Sequence, residues 1–275
     1  MRTMIANTLG FLGFIAGIIV VLCALIYWGQ SKLIFFPRPN DEMLALRHKA
    51  NRVQISGPEG AIEGWWVQNP KATNELVVLY FGGNAEDVLY TALTAPLIDA
   101  RRMLVVNYRG YGRSSGRPSQ QALYEDALAV HRYMTTTAGV PPERLIVMGR
   151  SLGSGVAAML ASERLTAGAV LITPYDSLGA VGARHYPFLP VRLLLRHKFA
   201  SVDWAKKTRA PALLLAGERD FIVPPVHARA LFDAWAGPKA LHTLADVGHN
   251  DIEMHAEYYS LINRFLAERA SANSG

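Results

Sequence analysis

Residues 145–155 read Leu-Ile-Val-Met-Gly-Arg-Ser-Leu-Gly-Ser-Gly, and this stretch decides the fold. Four apolar residues with two β-branched members predict a buried strand. Gly149-x-Ser151-x-Gly153 follows at once, and the small, apolar run after it predicts a helix over 152–162. A G-x-S-x-G between strand and helix is a nucleophile elbow: the strand delivers the serine to a tight turn, and the glycines let neighbouring backbone pass. The helix begins beneath the hydroxyl, so its N-terminal dipole favours developing negative charge.

Outward from this point strand and helix signals alternate, the pattern of an α/β domain. Short apolar runs at 76–81, 103–107, 145–148, 169–172 and 212–216 predict strands buried on both faces. Segments 52–56 and 61–68 form an expected antiparallel opening pair around Gly57-Pro58-Glu59-Gly60. Helical patterns fall at 87–98, 120–136, 152–162, 226–235 and 253–268. The segment 178–207, aromatic and basic, breaks the rhythm and predicts an inserted cap.

A serine hydroxyl is a weak nucleophile until a base takes its proton. Of the eight histidines, His249 stands after the strand-like 241–244 in a loop leading into the final helix. His131, His197, His227 and His255 fall in helix-like segments and read as surface or packing residues. The acid belongs between serine and histidine at a strand end. Asp220 fits both requirements; Glu218, Asp176 and Asp203 are its competitors. For the oxyanion, the backbone N–H of Leu152 supplies one donor and the loop Gly82-Gly83-Asn84-Ala85 the other, with Asn84 preferred and Gly83 in reserve. That loop also reads as a plain strand-to-helix turn. No H-E-x-x-H or comparable spacing predicts a metal site, and the expected chemistry needs no cofactor.

Apolar residues make up 51% of the 275, and they crowd toward the start. Between Arg2 and Lys32 no charge occurs, and residues 9–28 suffice to cross a hydrocarbon core of about 30 Å. With Tyr27, Trp28 and Lys32 at its end, and no small-residue cleavage site, the leader over 1–31 predicts an uncleaved single-pass anchor before a catalytic domain over 40–270. Lys32, Arg38, Arg47 and Lys49 outnumber Arg2, which favours a cytoplasmic domain. Gly13-x-x-x-Gly17 allows close packing of two such helices, and so a homodimer. Cys23 is the sole cysteine, so the body holds no disulfide or thiolate site. The net charge of +6 is dispersed, without the like-charge runs of a nucleic-acid-binding surface.

Seven segments together resemble the membrane-anchored, serine-aminopeptidase-like α/β-hydrolase domain proteins of the α/β-hydrolase superfamily. They are LIFFPRP at 33–39, YFGGNAED at 80–87, NYRGYGRSSGRPS at 107–119, GRSLGSGVA at 149–157, TPYDSL at 173–178, GERDFIVP at 217–224 and GHNDI at 248–252. The resemblance implies an eight-stranded, mostly parallel sheet with helices on both faces and a small cap. It implies a Ser151–Asp220–His249 triad, and a structural role for Asn107 to Gly112. Relatives often carry His-Gly-Asn-Ala where this chain has Gly82-Gly83-Asn84-Ala85, so a looser loop is expected. The implied reaction is hydrolysis of carboxylic esters or thioesters, with lipid-like or acylated substrates favoured by the anchor. A peptidase or amidase is the alternative, though Arg184, Arg192, Arg196, Lys198, Lys206 and Lys207 repel a substrate amino group. A catalytically silent membrane scaffold is the third.

Overall fold

The computed structural model describes residues 2–272. Eight strands form one sheet: β1 (Arg52–Gly57), β2 (Gly60–Gln68), β3 (Val77–Phe81), β4 (Arg102–Val106), β5 (Leu145–Arg150), β6 (Gly168–Ile172), β7 (Ala212–Gly217) and β8 (Lys239–Leu244). Their spatial order is β1-β2-β4-β3-β5-β6-β7-β8. The β1–β2 and β2–β4 pairs are antiparallel and all others parallel. The order reverses around β3, which puts the C-terminal ends of β3 and β5 side by side. A ligand crevice is expected at such a switch point.

Among the described residues ten helices accompany the sheet: α1 (Arg2–Ile34), α2 (Glu42–Arg47), α3 (Val88–Thr94), α4 (Gln120–Arg132), α5 (Leu152–Glu163), α6 (Leu178–His185), α7 (Val191–Leu194), α8 (Ser201–Ala205), α9 (Pro225–Ala234) and α10 (Tyr258–Ala272). The continuous apolar runs split by alternation. Val77, Leu79 and Phe81 join the core that includes Leu123 and Val130 of α4, Val156 and Leu160 of α5 and Leu231 of α9. Val78 and Tyr80 face the core built with Leu89 of α3 and Ile262 and Phe265 of α10. A period of two sends neighbours to opposite faces, so a strand covered on both sides must be apolar throughout.

Two boundaries differ from expectation. The helix expected over 253–268 runs from Tyr258 to Ala272, because Asp251 turns back to accept from Gly248 N at 2.7 Å and Ile252–Met254 forms a separate turn. Helix α4 stops at Arg132 and a wider π-turn over Tyr133–Thr137 follows. Between β6 and β7, α6 and α7 pack against each other and α6 sends Val181 into the core, whereas α8, inside the segment 178–207, packs against α5 and α9.

Helix α1 contains a 25-residue apolar stretch, Gly10–Ile34, long enough to cross a membrane. Its last turn is not free. Gln30 Nε2 donates to Leu194 O at 3.2 Å, Arg196 N donates to Gln30 Oε1 at 2.6 Å, and Ser31 meets His197 Nε2 at 2.9 Å. Phe35 follows into the core against His197 and Phe199.

Candidate functional site

Ser151 sits between β5 and α5 at φ 49° and ψ −115°. A left-handed, non-glycine backbone costs about 1–3 kcal/mol. Leu145, Ile146, Val147, Val156 and Leu160 are fully buried on either side of it. Each contributes roughly 1.5–3 kcal/mol, so packing outweighs the strain. The flanking glycines are steric necessities: a Cβ on Gly149 would collide with Gly153 O, and one on Gly153 with Phe81 O. Ser151 N donates to Ile172 O at 2.9 Å, tying the turn to β6.

His249 Nε2 lies 2.9 Å from Ser151 Oγ, and His249 Nδ1 lies 2.7 Å from Asp220 Oδ2. A carboxylate only accepts, so the proton sits on Nδ1 and Nε2 is left to accept from the serine hydroxyl. Asp220 is 3% exposed. Its other oxygen, Oδ1, accepts from Ile222 N at 2.9 Å and Val223 N at 2.7 Å. The acid is thus held from both ends. Its competitors are elsewhere. Glu218 accepts from Asp246 N, Asp203 pairs with Lys206 on the surface, and Asp176 faces His227 Nδ1 at 2.9 Å. Ser177 caps the first turn of α6 by accepting from Ala180 N at 3.0 Å.

The loop after β3 is pinned rather than loose. Tyr108 OH donates to Gly82 O at 2.6 Å, Gly83 N donates to Glu86 Oε2 at 2.6 Å, and Tyr111 OH donates to Asn84 Oδ1 at 2.7 Å. Asn84 Nδ2 donates to Ile34 O, and Phe36 N donates to Asn84 Oδ1 at 3.0 Å. A Cβ on Gly83 would lie 3.8 Å from that of Ser151, so the loop adjoins the serine. The Gly83 N–H is committed to Glu86, which removes it as the reserve oxyanion donor. Asn84 N and Leu152 N have no hydrogen-bond partner among the described residues. Tyr108 and Tyr111 give the loop its fixity, while Arg109 pairs with Asp126 at 2.6 Å and Asn107 with Glu63.

Two residues escaped the sequence reading. Arg150 Nη2 donates to His249 O at 3.1 Å, and the same guanidinium faces Glu86 at 4.0 Å and Glu253 at 3.8 Å. Burial opposes the Arg150 cation, but Glu86, Tyr80 and Glu253 outweigh it and raise its pKa above the ordinary value. Glu86 also accepts from Tyr80 OH and Thr91 Oγ1, each at 2.8 Å. Burial pushes the Tyr80 phenol well up, so it remains a donor. Glu86 and Arg150 therefore connect the loop after β3 with the histidine's loop. Arg150 is the variable position of G-x-S-x-G and Glu86 belongs to a helix start, so neither carries a pattern that marks a partner 99 or 64 residues away.

A sheet in this order, with a strained serine after its fifth strand and a histidine and acid after its eighth and seventh, is one architecture. The chain has the α/β-hydrolase fold. An uncharacterized protein of Mycobacterium tuberculosis is 36% identical over 251 residues, 88% of this chain and 89% of that one. An uncharacterized membrane protein of Saccharomyces cerevisiae is 27% identical over 278 residues, covering 94% and 96%. Alpha/beta hydrolase domain-containing protein 17B of Xenopus laevis is 30% identical over 166 residues, covering 59% and 55%. An esterase of Pyrococcus furiosus superposes with a TM-score of 0.66 at 19% identity, over 86% of this chain and 99% of that one. No family model matches the chain.

Proposed function

We propose that this α/β-hydrolase is a serine hydrolase cleaving carboxylic esters or thioesters through an acyl-Ser151 intermediate. The observation that carries the reading is the unbroken relay from Asp220 through His249 to the hydroxyl of a strained serine. Ser151 Oγ attacks the acyl carbon as its proton passes to His249 Nε2, and the imidazolium formed is stabilised by Asp220. The carbonyl π electrons move onto oxygen, where Leu152 N–H and Asn84 N–H receive the negative charge. Collapse expels the alcohol or thiol, protonated by His249. Water then repeats the sequence and frees the acid.

Helix α1 supports a membrane anchor over residues 1–31, with the catalytic domain over 40–270 and a cap within 178–207. A bilayer-held domain favours lipid-like or acylated substrates, and the basic flank favours a cytoplasmic location. The test is a fluorophosphonate applied to the folded chain, with the adduct located by mass spectrometry. Modification of Ser151, blocked in Ser151→Ala, is the expected result. An adduct elsewhere, or none, overturns the assignment.

A further inference from the structure

Apolar side chains in water are ordinarily scattered, and a group of large ones at one edge marks an interaction surface. Phe188 is 96%, Leu193 85% and Phe221 82% exposed, with Tyr186 and Ile222 more than half exposed. They come from two segments, 186–193 and 221–222, that sequence distance separates. His185 joins them by donating from Nε2 to Ile222 O at 2.9 Å. The loop with Phe221 and Ile222 is the one whose backbone N–H groups hold Asp220.

The face is continuous with α1. Helix α7, which carries Leu193, receives Gln30 of α1 at Leu194 O, and the Arg196 guanidinium lies 5.6 Å from the Tyr27 ring. Where α1 leaves a bilayer, α7 and the cap tip are therefore at the same level. The charge agrees. Between Asp176 and Asp203 no acidic residue occurs, while Arg192, Arg196 and Lys198 are exposed beside the apolar tip. Aromatic and aliphatic side chains ringed by cations suit the interface of an anionic membrane.

We propose that the cap tip and the Phe221–Ile222 loop form a second membrane contact, seated in the lipid interface beside α1. The occupant is the bilayer that receives α1. The contact turns the Ser151 mouth toward the lipid surface, so an acyl substrate reaches it from the bilayer. That last step rests on the serine-hydrolase reading; the contact itself does not.

The test uses the full chain in Cys23→Ser form, reconstituted into vesicles of phosphatidylcholine and phosphatidylglycerol. Phe188→Cys, Leu193→Cys and Leu165→Cys are each labelled with the fluorophore NBD. Leu165 is an exposed control preceding β6, at the end of the sheet opposite Ser151. Doxyl-labelled lipids are expected to quench positions 188 and 193 by about 2-fold or more and to leave 165 unchanged, as interfacial seating requires. Circular dichroism confirms that each variant is folded. Absence of quenching at 188 and 193 overturns the proposal. A blue shift there without quenching does so too, since it places a second copy of the chain on the face. A further arm compares a bilayer-resident ester with a short soluble one. In Phe188→Ser/Leu193→Ser the ratio of the two rates falls roughly 10-fold, as expected for lost apolar burial. If neither ester is turned over while quenching stands, the hydrolase reading has failed and the membrane contact has not.

Discussion

Asp220 is set apart from its competitors by where its two oxygens go. One receives His249 and the other is fixed by two backbone N–H groups. Asp220→Asn keeps the shape but leaves His249 with the wrong tautomer, so kcat on a short ester falls by roughly 10³–10⁴-fold. Asp176→Asn acts differently. It loosens the pair with buried His227 and lowers the thermal midpoint, with kcat nearly unchanged. Kinetics and melting of the two variants side by side separate the roles, and a reversal of the two phenotypes moves the acid to Asp176. Glu86 is a positioning residue of another kind. Glu86→Ala frees Gly83 N and leaves Arg150 without one of its carboxylates. We expect kcat to drop about 10-fold at nearly constant KM, less than the 10²–10³ lost with an oxyanion donor itself. Glu86→Gln, which still offers an oxygen to Gly83 N, recovers part of the rate. A larger change in KM than in kcat speaks for a binding role instead.

At the scale of elements, the junction of α1 with the cap carries a pH dependence. His197 is buried where α1, α4 and α7 approach one another. Its Nδ1 accepts from Gln120 N at 3.3 Å, so Nε2 is the protonated nitrogen and faces Ser31 Oγ. Burial and the nearby Arg196 cation push the His197 pKa below the ordinary value. A second proton would set an Nδ1–H against the Gln120 N–H. The unfolded chain then binds protons more readily than the folded one, so stability rises with pH in that range. The stabilising contribution is complete above the unfolded value of about 6.5 and is lost as pH falls through it toward the folded value. His131, displaced downward by burial, which outweighs the opposing hydrogen bond to Leu165 O, adds the same sign. The thermal midpoint of the detergent-held chain should therefore decrease between pH 8 and pH 5.5. In His197→Gln, which retains a side-chain donor and acceptor, the slope becomes shallower. An unchanged slope dissociates the junction from the pH response.

For the whole molecule, α1 and the hydrolase body are not two objects joined by a slack tether. Gln30, Ser31 and Phe35 pack against Leu194, His197 and Phe199, and Asn84 binds both Ile34 and Phe36 beside the serine. A chain beginning at Gly29 keeps these contacts, and we expect it to be water-soluble and to retain activity on short esters. One beginning at Arg38 loses Phe35. Removing a buried Phe side chain costs about 3–5 kcal/mol. For a body this size the midpoint falls on the order of 10 °C. Equal midpoints for the two truncations would show that the exit segment contributes nothing to the fold.

Much of this was written locally. G-x-S-x-G between an apolar run and a helical one requires a strand, a turn and a helix, because the glycines leave no room for Cβ atoms against Gly153 O and Phe81 O. The apolar strands follow from burial on both faces, and the strand-end positions of Asp220 and His249 follow from chain order. The places of Asn84 in the loop after β3 and of Leu152 at the start of α5 were likewise legible. What tertiary structure decided lies in contacts between distant segments. Nothing at Glu86 announces that it faces the Arg150 guanidinium, and nothing at Arg150 announces that its guanidinium reaches the carbonyl of His249. The leader's composition set its length, but only packing brought Gln30 to α7 and Phe221 beside the cap tip. Local pattern is fixed by each residue's own backbone and its near neighbours. The pairing of polar groups across 60–160 residues depends on how the sheet stacks those segments, and no single stretch of chain encodes it.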